Sequence, residues 1–167
     1  MEQLELSIHD ARMYTSGNNM TIDTFFVLDA NGEAIASDQH RITHIRETLE
    51  IALEDVSHYP EIIQRRTPRQ LKHFSVPTQT RMSSDADNGF TVLEIATPDR
   101  PGLLAKISRL FLEFEIDLQA AKIATLGERV EDIFFITDRE KRMIDDPETC
   151  AQLQAAICRE LDAQAAD

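Results

Sequence analysis

The sequence lacks any apolar run long enough to cross a membrane, and residues 1–5 lack the basic start of a signal peptide. It has only two cysteines, Cys150 and Cys158, eight residues apart in a predicted helix. At the usual rise of a helix this spacing is roughly 12 Å, which is beyond the reach of a disulfide. These absences predict a soluble, cytoplasmic chain with reduced cysteines and no membrane partner.

The sequence also lacks the motifs of the common enzyme classes. It has no recognisable nucleophile–base pair, no glycine-rich loop ending in lysine and no paired-carboxylate motif. His40 and His44 have a helical spacing that can bind a metal, but no third ligand accompanies them in a recognisable motif. We therefore predict no catalysis, no metal and no cofactor in these residues, and a small self-contained enzyme is the least favoured alternative.

Basic residues are scarce, and their distribution is uneven. The net charge of −13 divides into −8 over residues 1–60, +4 over residues 61–82 and −9 over residues 83–167. So acidic a chain disfavours nucleic acid as a partner. The basic connector, about residues 60–73, is interpreted as a link packed between acidic modules, and a phosphate-binding patch is the alternative.

The chain contains an internal repeat of a β-hairpin. Residues 11–29 recur as residues 121–138 with seven identical pairs in register, and each copy has two extended segments around a glycine-containing turn. A helix is predicted after each hairpin, with a cap at Ser37 or Asp38 in the first copy and at Asp146 in the second. The predicted core-facing stripes are Ile42, Ile45, Leu49, Ala52, Leu53 and Val56 in the first helix, and Cys150, Leu153, Ile157 and Leu161 in the second.

Only the second copy has a strand and a helix before its hairpin. An apolar strand is predicted over residues 90–96, and a helix follows with Leu104, Ile107, Phe111 and Phe114 on one face. The order strand, helix, hairpin, helix, strand is that of the ferredoxin-like βαββαβ fold, an α+β class with an antiparallel sheet and helices on one face.

Two units are predicted from this order. Residues 1–82 form a partial unit, truncated because it lacks the first strand and helix, and it includes the connector. Residues 83–167 form a second unit that lacks its own last strand. The β-prone segment over residues 74–82 can close either unit, and we favour the second.

The loop over residues 97–104 joins the predicted strand to its helix. Asp99 is predicted to accept the amides of the first helical turn, and Pro101 has no amide to satisfy there. Gly102 removes a side chain where a ligand could approach the backbone. Because helix N-termini attract carboxylates, the loop can hold the carboxylate of an amino acid, although a well-capped helix start explains the same residues.

The loop resembles the effector loop of ACT domains, which are small ligand-sensing βαββαβ modules. Residues 85–95, 118–125 and 127–138 resemble one family more closely, the bifunctional uridylyltransferase/uridylyl-removing enzymes that modify the bacterial PII nitrogen-regulatory protein. The resemblance covers nearly the whole chain, as the C-terminal end of a longer enzyme. It implies a non-catalytic region of a nucleotidyltransferase and hydrolase, with magnesium in the parent's catalytic domains, glutamine as effector and PII as partner through the parent.

The resemblance also implies a set of effector contacts. In ACT domains the ligand lies between this loop and the first hairpin strand of a neighbouring domain. The family often has asparagine where Ser7 and Asp117 stand, and Asp117 can still accept a ligand ammonium. The implied contacts are Asp99, Arg100, Pro101, Gly102 and Leu103 in the loop, Asp117, Leu118 and Gln119 in the second hairpin, and Ser7, Ile8, His9 and Asp10 in the first.

Two alternative functions fit the sequence in part, and the hairpin strands also predict an assembly of chains. An ACT region of another amino-acid-controlled enzyme fits the same residues. An RNA-binding module shares the order of elements, but it needs basic residues beside exposed aromatics, whereas Phe134 and Phe135 are flanked by acidic ones. Apolar residues on both faces of the hairpin strands predict mid-sheet strands that meet another sheet or chain, and therefore a homodimer.

Overall fold

A computed structural model of the chain describes residues 4–16, 20–29, 31–35, 38–54, 76–100, 102–126 and 129–163. These ranges contain six strands and three helices, and each pair of consecutive strands is followed by a helix. In chain order they are β1 (Ser7–Thr15), β2 (Thr21–Leu28), α1 (Gln39–Glu54), β3 (Gln79–Asp85), β4 (Phe90–Pro98), α2 (Leu103–Glu113), β5 (Ile116–Leu126), β6 (Arg129–Asp138) and α3 (Pro147–Ala163).

All six strands lie in one antiparallel sheet of order β2-β1-β5-β6-β4-β3. Both predicted hairpins form, β1 with β2 and β5 with β6, and the pairing of β1 with β5 places the two copies side by side. The predicted α+β class with an antiparallel sheet is confirmed. The prediction that the hairpin strands lie in mid-sheet is confirmed for β6. It is wrong for β2, which is an edge strand because no described strand pairs with its outer side.

The strand β3 forms the other edge of the sheet and pairs with β4 along its whole length, from Gln79 opposite Ala96 to Asp85 opposite Phe90. A tight turn joins the two strands, in which Gly89 adopts a left-handed φ of 75° and its amide donates to the Asp85 carbonyl. The segment predicted over residues 74–82 is therefore a strand displaced toward Asp85, and residues 74 and 75 lie outside the described ranges. The strand lies beside the second copy, as favoured from the sequence, whereas the division into two units stays a prediction.

The core lies between one face of the sheet and the helices α2 and α3. Phe111 of α2 meets Phe134 of β6 edge to face, with ring centroids 5.4 Å apart, and both side chains are buried. The predicted stripes of α2 and α3 are confirmed: Ile107, Phe111, Leu153, Ile157 and Leu161 are buried, and Leu104, Phe114 and Cys150 pack against them. Burial of this apolar surface is the main term that holds the sheet to its two helices.

The helix α1 forms where the sequence predicts it but does not pack as predicted. Asp38 caps it by accepting the Arg41 amide, and Asp146 caps α3 in the same way through Thr149. No side chain of α1 is buried, and Leu53 is 78% exposed. The prediction that its stripe faces a core is wrong among the residues described, because the buried cluster takes its helical residues from α2 and α3 and none from α1; Val56 lies outside the described ranges.

Candidate functional site

The loop after β4 turns into α2 at a glycine. Gly102 is the N-cap of the helix with a left-handed φ of 78°, and the first helical hydrogen bond runs from the Lys106 amide to the Gly102 carbonyl at 3.0 Å. Within the described part of the chain no side chain caps this end, so the prediction that Asp99 caps the first turn is wrong. Glycine adopts this positive φ without the strain that a side chain would introduce. Pro101 lies outside the described residues.

Two cations near this loop are bound to the far end of α3. Arg100 is buried and donates through Nη1 to the Leu161 carbonyl at 2.7 Å. Lys106 donates through Nζ to the Glu160 carbonyl at 3.3 Å and lies 3.2 Å from the Glu160 carboxylate. Positive charge at a helix C-terminus is stabilising, and α3 has no basic residue of its own in its last turn. The guanidinium of Arg100 therefore tethers the loop to α3.

The start of β1 lies at the same end of the sheet as this loop. Asp10 is paired with Ala124 near the end of β5, and Thr125 donates through Oγ1 to the Ile8 carbonyl at 3.2 Å. The ladder bulges between Ile8 and Asp10, which leaves His9 exposed. The structure thus brings the predicted residues of the first copy, Ser7, Ile8, His9 and Asp10, to the end of the sheet where the loop over residues 99–103 begins.

The predicted residues at the start of β5 lie at the opposite end of the sheet. Asp117 and Leu118 pair with Thr137 and Ile136, whereas the loop follows the end of β4 beside Arg129. The Asp117 carboxylate accepts a hydrogen bond from Lys141 at 2.8 Å, and Gln119 donates through Nε2 to Thr137 at 2.9 Å. Within one chain, Asp117, Leu118 and Gln119 do not meet the loop.

One titratable residue that the sequence analysis did not single out stands out at this end of the sheet. Asp132 of β6 pairs with Ile95 of β4 and lies on the helix-covered face with Ile123 and Ile95, only 1% exposed. Its Oδ1 accepts the Ala124 amide at 3.3 Å, and its Oδ2 has no hydrogen-bond partner among the residues described. The sequence signal was its recurrence as Asp23 in the repeat, but a repeated residue does not disclose its burial.

Burial changes the acidity of two carboxyls at this end of the sheet. Desolvation raises the pKa of Asp132 to about 7, although the Ala124 amide opposes the rise, and the charge of Asp99 adds to it. Desolvation also raises the pKa of Asp99 above its ordinary value, and the Arg100 amide opposes that rise. Neither carboxyl forms an ion pair with a cation among the described residues.

The sheet face that α2 and α3 leave uncovered is called the open face here, and it carries a concave region of about 830 Å³. A cross-strand row of charged side chains crosses it, with Arg12 opposite Lys122 and Glu94 opposite Arg81. The outer part of this face, on β1 and β2, exposes Tyr14, Ile22 and Phe26. Asp10 is the one predicted effector contact that lines this concave region.

The remaining candidate sites have simple surroundings. His40 and His44 are exposed on α1, and no three His, Cys, Asp or Glu residues in the described ranges are grouped to hold a metal ion. His58 and His73 lie outside those ranges. Both cysteines are unpaired. Of the described helices, none combines the length and the apolar character that a membrane crossing requires.

Comparison with known proteins agrees with the fold. Residues 91–146, from β4 to the start of α3, match the model of the ACT domain family. No solved structure matches the chain.

The chain as a whole is similar to bifunctional uridylyltransferase/uridylyl-removing enzymes. It is 55% identical over 168 residues to the enzyme of Pseudomonas putida (strain W619), which covers 100% of this chain and 19% of that protein. It is 56% identical to the enzyme of Pseudomonas fluorescens (strain SBW25) and 55% identical to that of Azotobacter vinelandii (strain DJ), in both cases over 96% of this chain and 18% of the relative. The predicted resemblance is confirmed, and the chain spans about a fifth of the length of the curated relatives it matches.

Proposed function

We propose that this chain is the amino-acid-sensing region of an enzyme that adds uridylyl groups to the PII nitrogen-regulatory protein and removes them. The observation that carries the proposal is the match of the whole chain to one part of the uridylyltransferase/uridylyl-removing enzymes, together with the ACT domain inside it. The catalytic work then belongs to parts of the enzyme that this chain does not match, and magnesium belongs with those parts. The cytoplasm is the proposed location.

The effector is a free amino acid, and glutamine is the proposed one. Its carboxylate meets the start of α2, where the amides of Leu104 and Ala105 have no acceptor within the helix. Ser7 to Asp10 are the contacts that the resemblance implies on the other side of the ligand, and they lie at the same end of the sheet on β1, which β5 and β6 separate from β4. The site acts by differential affinity: glutamine favours one arrangement of the ACT region, and this biases the attached active sites toward removal of the uridylyl group.

Calorimetric titration of the chain with a panel of amino acids tests this function. Gly102→Val is a poor probe, because valine at a φ of 78° is strained and the variant can lose binding by distorting the loop. A better pair is Ser7→Leu and Asp117→Leu, which change equivalent positions of the repeat at opposite ends of the sheet.

We expect Ser7→Leu to weaken glutamine binding by roughly tenfold or more, because it places a larger side chain on the side of the ligand opposite the loop. Asp117→Leu should bind glutamine as the unaltered chain does. Equal weakening by both substitutions would place the site elsewhere, and a chain that binds no amino acid would contradict the sensing function.

We also propose that two copies of the chain associate through the open face. The edge of β1 is covered within the chain by β5, but Tyr14 and Ile22 are paired across the hairpin and exposed, 61% and 70%; Phe26, farther along β2 on the same face, is exposed too. Exposed apolar side chains on one sheet face are common at interaction surfaces, and a two-fold homodimer is the simplest closed assembly. Nucleic acid is not proposed as a partner, in view of the net charge of −13.

Light scattering at micromolar concentration tests the association. The unaltered chain should scatter as a dimer, and Ile22→Glu should convert it to a monomer because it places a charge among these apolar side chains. Leu53→Glu on α1 is the control, since it adds the same charge at an equally exposed apolar position outside this sheet face. A monomeric unaltered chain would show that pairing with β5 is all that completes the first hairpin.

A further inference from the structure

The last turn of α3 is bound by two segments from elsewhere in the chain. Arg100, in the loop after β4, donates to the Leu161 carbonyl at 2.7 Å. Lys106 of α2 donates to the Glu160 carbonyl at 3.3 Å. Carbonyls at the C-terminal end of a helix have no amide partner within the helix, so both cations satisfy groups that would otherwise need water. The loop and the first turn of α2 are therefore attached to the same turn of α3.

The next residue along α3, Asp162, binds a third segment. Its Oδ1 accepts the Thr78 amide at 3.0 Å and the Thr78 hydroxyl at 2.6 Å, immediately before β3 begins. An acidic side chain in the last turn is unfavourable with the helix dipole, so the contact with Thr78 accounts for Asp162 better than the needs of the helix do. In sequence, Thr78 follows the basic connector and lies between the two copies of the repeat.

The Thr78 hydroxyl also joins Asp162 to the end of β4. A carboxylate only accepts hydrogen bonds, so the single hydroxyl proton of Thr78 is donated to Asp162. The Thr97 hydroxyl, 2.9 Å away, is then the donor to Thr78. Both threonines are buried, and hydrogen bonds in such surroundings are electrostatically stronger than they are in water.

These contacts depend on one another because helix ends fray. The carbonyls of Glu160 and Leu161 and the side chain of Asp162 are in place together only while the last turn is ordered. Each bond that orders this turn lowers the conformational cost of making the others. Loss of the Arg100 bond should therefore weaken the Thr78 contact, although no hydrogen bond joins these two residues in the described structure.

We propose that the last turn of α3 couples the loop before α2 to the segment that enters β3. The coupling is a property of the chain itself: order at the loop favours order at Thr78, and the reverse holds to the same extent. Only its use in sensing rests on the proposed function, because a ligand that moves the loop then alters the attachment of the segment between the two copies.

Amide hydrogen exchange of the 167-residue chain, measured by NMR without any ligand, tests the coupling. The Thr78 amide reports on the entry to β3, because its acceptor is Asp162. The Leu103 amide, bonded to the Arg100 carbonyl at 3.3 Å, reports on the loop. The amide of Phe134, a buried residue in a mid-sheet strand, is the internal reference for changes in overall stability.

Arg100→Gln should raise the exchange rate at Thr78, relative to that at Phe134, by roughly tenfold or more. Because the coupling is reciprocal, Asp162→Ala should raise the rate at Leu103. The matched control is Arg81→Gln, which removes the same charge from an exposed position of β3 on the open face, away from α3. It should change neither rate.

A pair of double variants separates α3 from β4 as the route of the coupling. In an Asp162→Ala background, Arg100→Gln should have little further effect on the Thr78 rate, because the link to α3 is already lost. In a Thr97→Val background its effect should persist. The reverse pattern would show that the coupling runs along β4, and the proposal would be overturned.

If Arg100→Gln does not fold, Lys106→Met decides, because it removes the contact with Glu160 from the same turn of α3. It should raise the Thr78 rate relative to Phe134. Unchanged relative rates at Thr78 in every variant of Arg100 and Lys106 that folds would show that the last turn of α3 couples nothing. Since no ligand is used, this result is independent of whether the chain binds an amino acid.

Discussion

The two hairpins of this chain share seven identical pairs of residues in register and differ strongly in their surroundings. Phe134 in β6 is 3% exposed, whereas its equivalent Phe25 in β2 is only half-buried. Asp132 is buried in the core, and its equivalent Asp23 is exposed. The difference arises because α2 and α3 cover the second hairpin, while α1 buries none of its side chains. A repeated sequence thus specifies the same hairpin twice but not the same environment.

The largest expected effect is on the equivalent phenylalanines. Phe134→Ala should lower the free energy of unfolding by about 3–5 kcal/mol, because it removes a ring packed on Phe111 and leaves a cavity. Phe25→Ala should cost about 1–2 kcal/mol, because less apolar area is removed from a half-buried site. Urea denaturation of both variants measures the two values. Equal losses would show that the first hairpin is covered in solution.

The next effect is a pH dependence that only the second copy should have. Because burial raises the pKa of Asp132 from 3.8 to about 7, the folded chain binds more protons than the unfolded chain between these values, and stability falls as the pH rises through them. The contribution is at most about 4 kcal/mol, since each pKa unit corresponds to about 1.4 kcal/mol.

Denaturation of the unaltered chain and of Asp132→Asn at pH 4 and pH 8 measures this contribution as a difference. In Asp132→Asn the free energy of unfolding should not fall between pH 4 and pH 8 by the amount that Asp132 causes. The variant should therefore be more stable relative to the unaltered chain at pH 8 than at pH 4. Asp23→Asn, the equivalent change in the exposed copy, should keep the decline. A decline of the same size in all three chains would mean that Asp132 is not desolvated.

The smallest effect is expected on the helix that follows the first hairpin. Leu53→Ala on α1 should change the free energy of unfolding by less than about 0.5 kcal/mol, because the side chain is 78% exposed. Leu153→Ala on α3, the helix that follows the second hairpin, should cost about 2–5 kcal/mol, because Leu153 is fully buried. A large loss for Leu53→Ala, measured by thermal unfolding, would reveal a partner surface that covers α1.

Much of the fold could be predicted from local patterns. The bounds of both hairpins, the caps at Asp38 and Asp146 and the buried stripes of α2 and α3 all follow from turn chemistry and apolar spacing. The prediction for Asp99 was wrong because an aspartate two residues before a proline is typical of a cap, while Gly102, three residues after Asp99, takes that role. Local patterns could not decide between them, because the choice depends on the direction in which the chain leaves β4.

Part of the candidate site was predicted from the sequence, and the rest became visible only in the fold. The loop and the start of β1 were named from the resemblance, and the sheet brings both to one end. Asp117 was named for the same role, but antiparallel pairing carries it to the other end. Asp132 was overlooked because nothing local distinguishes a buried aspartate from its exposed copy.

By itself, the sequence determined the elements, their caps, the repeat and the family resemblance, since these depend on residues close to one another along the chain. Only the tertiary structure decided that β3 pairs with β4, that Arg100 binds the end of α3, that α1 stays uncovered and that Asp132 is desolvated. These outcomes depend on contacts between distant segments and on which surfaces lose water when the sheet and helices assemble. The four residues that the segments around Asp23 and Asp132 share cannot encode a difference that arises from what packs above them.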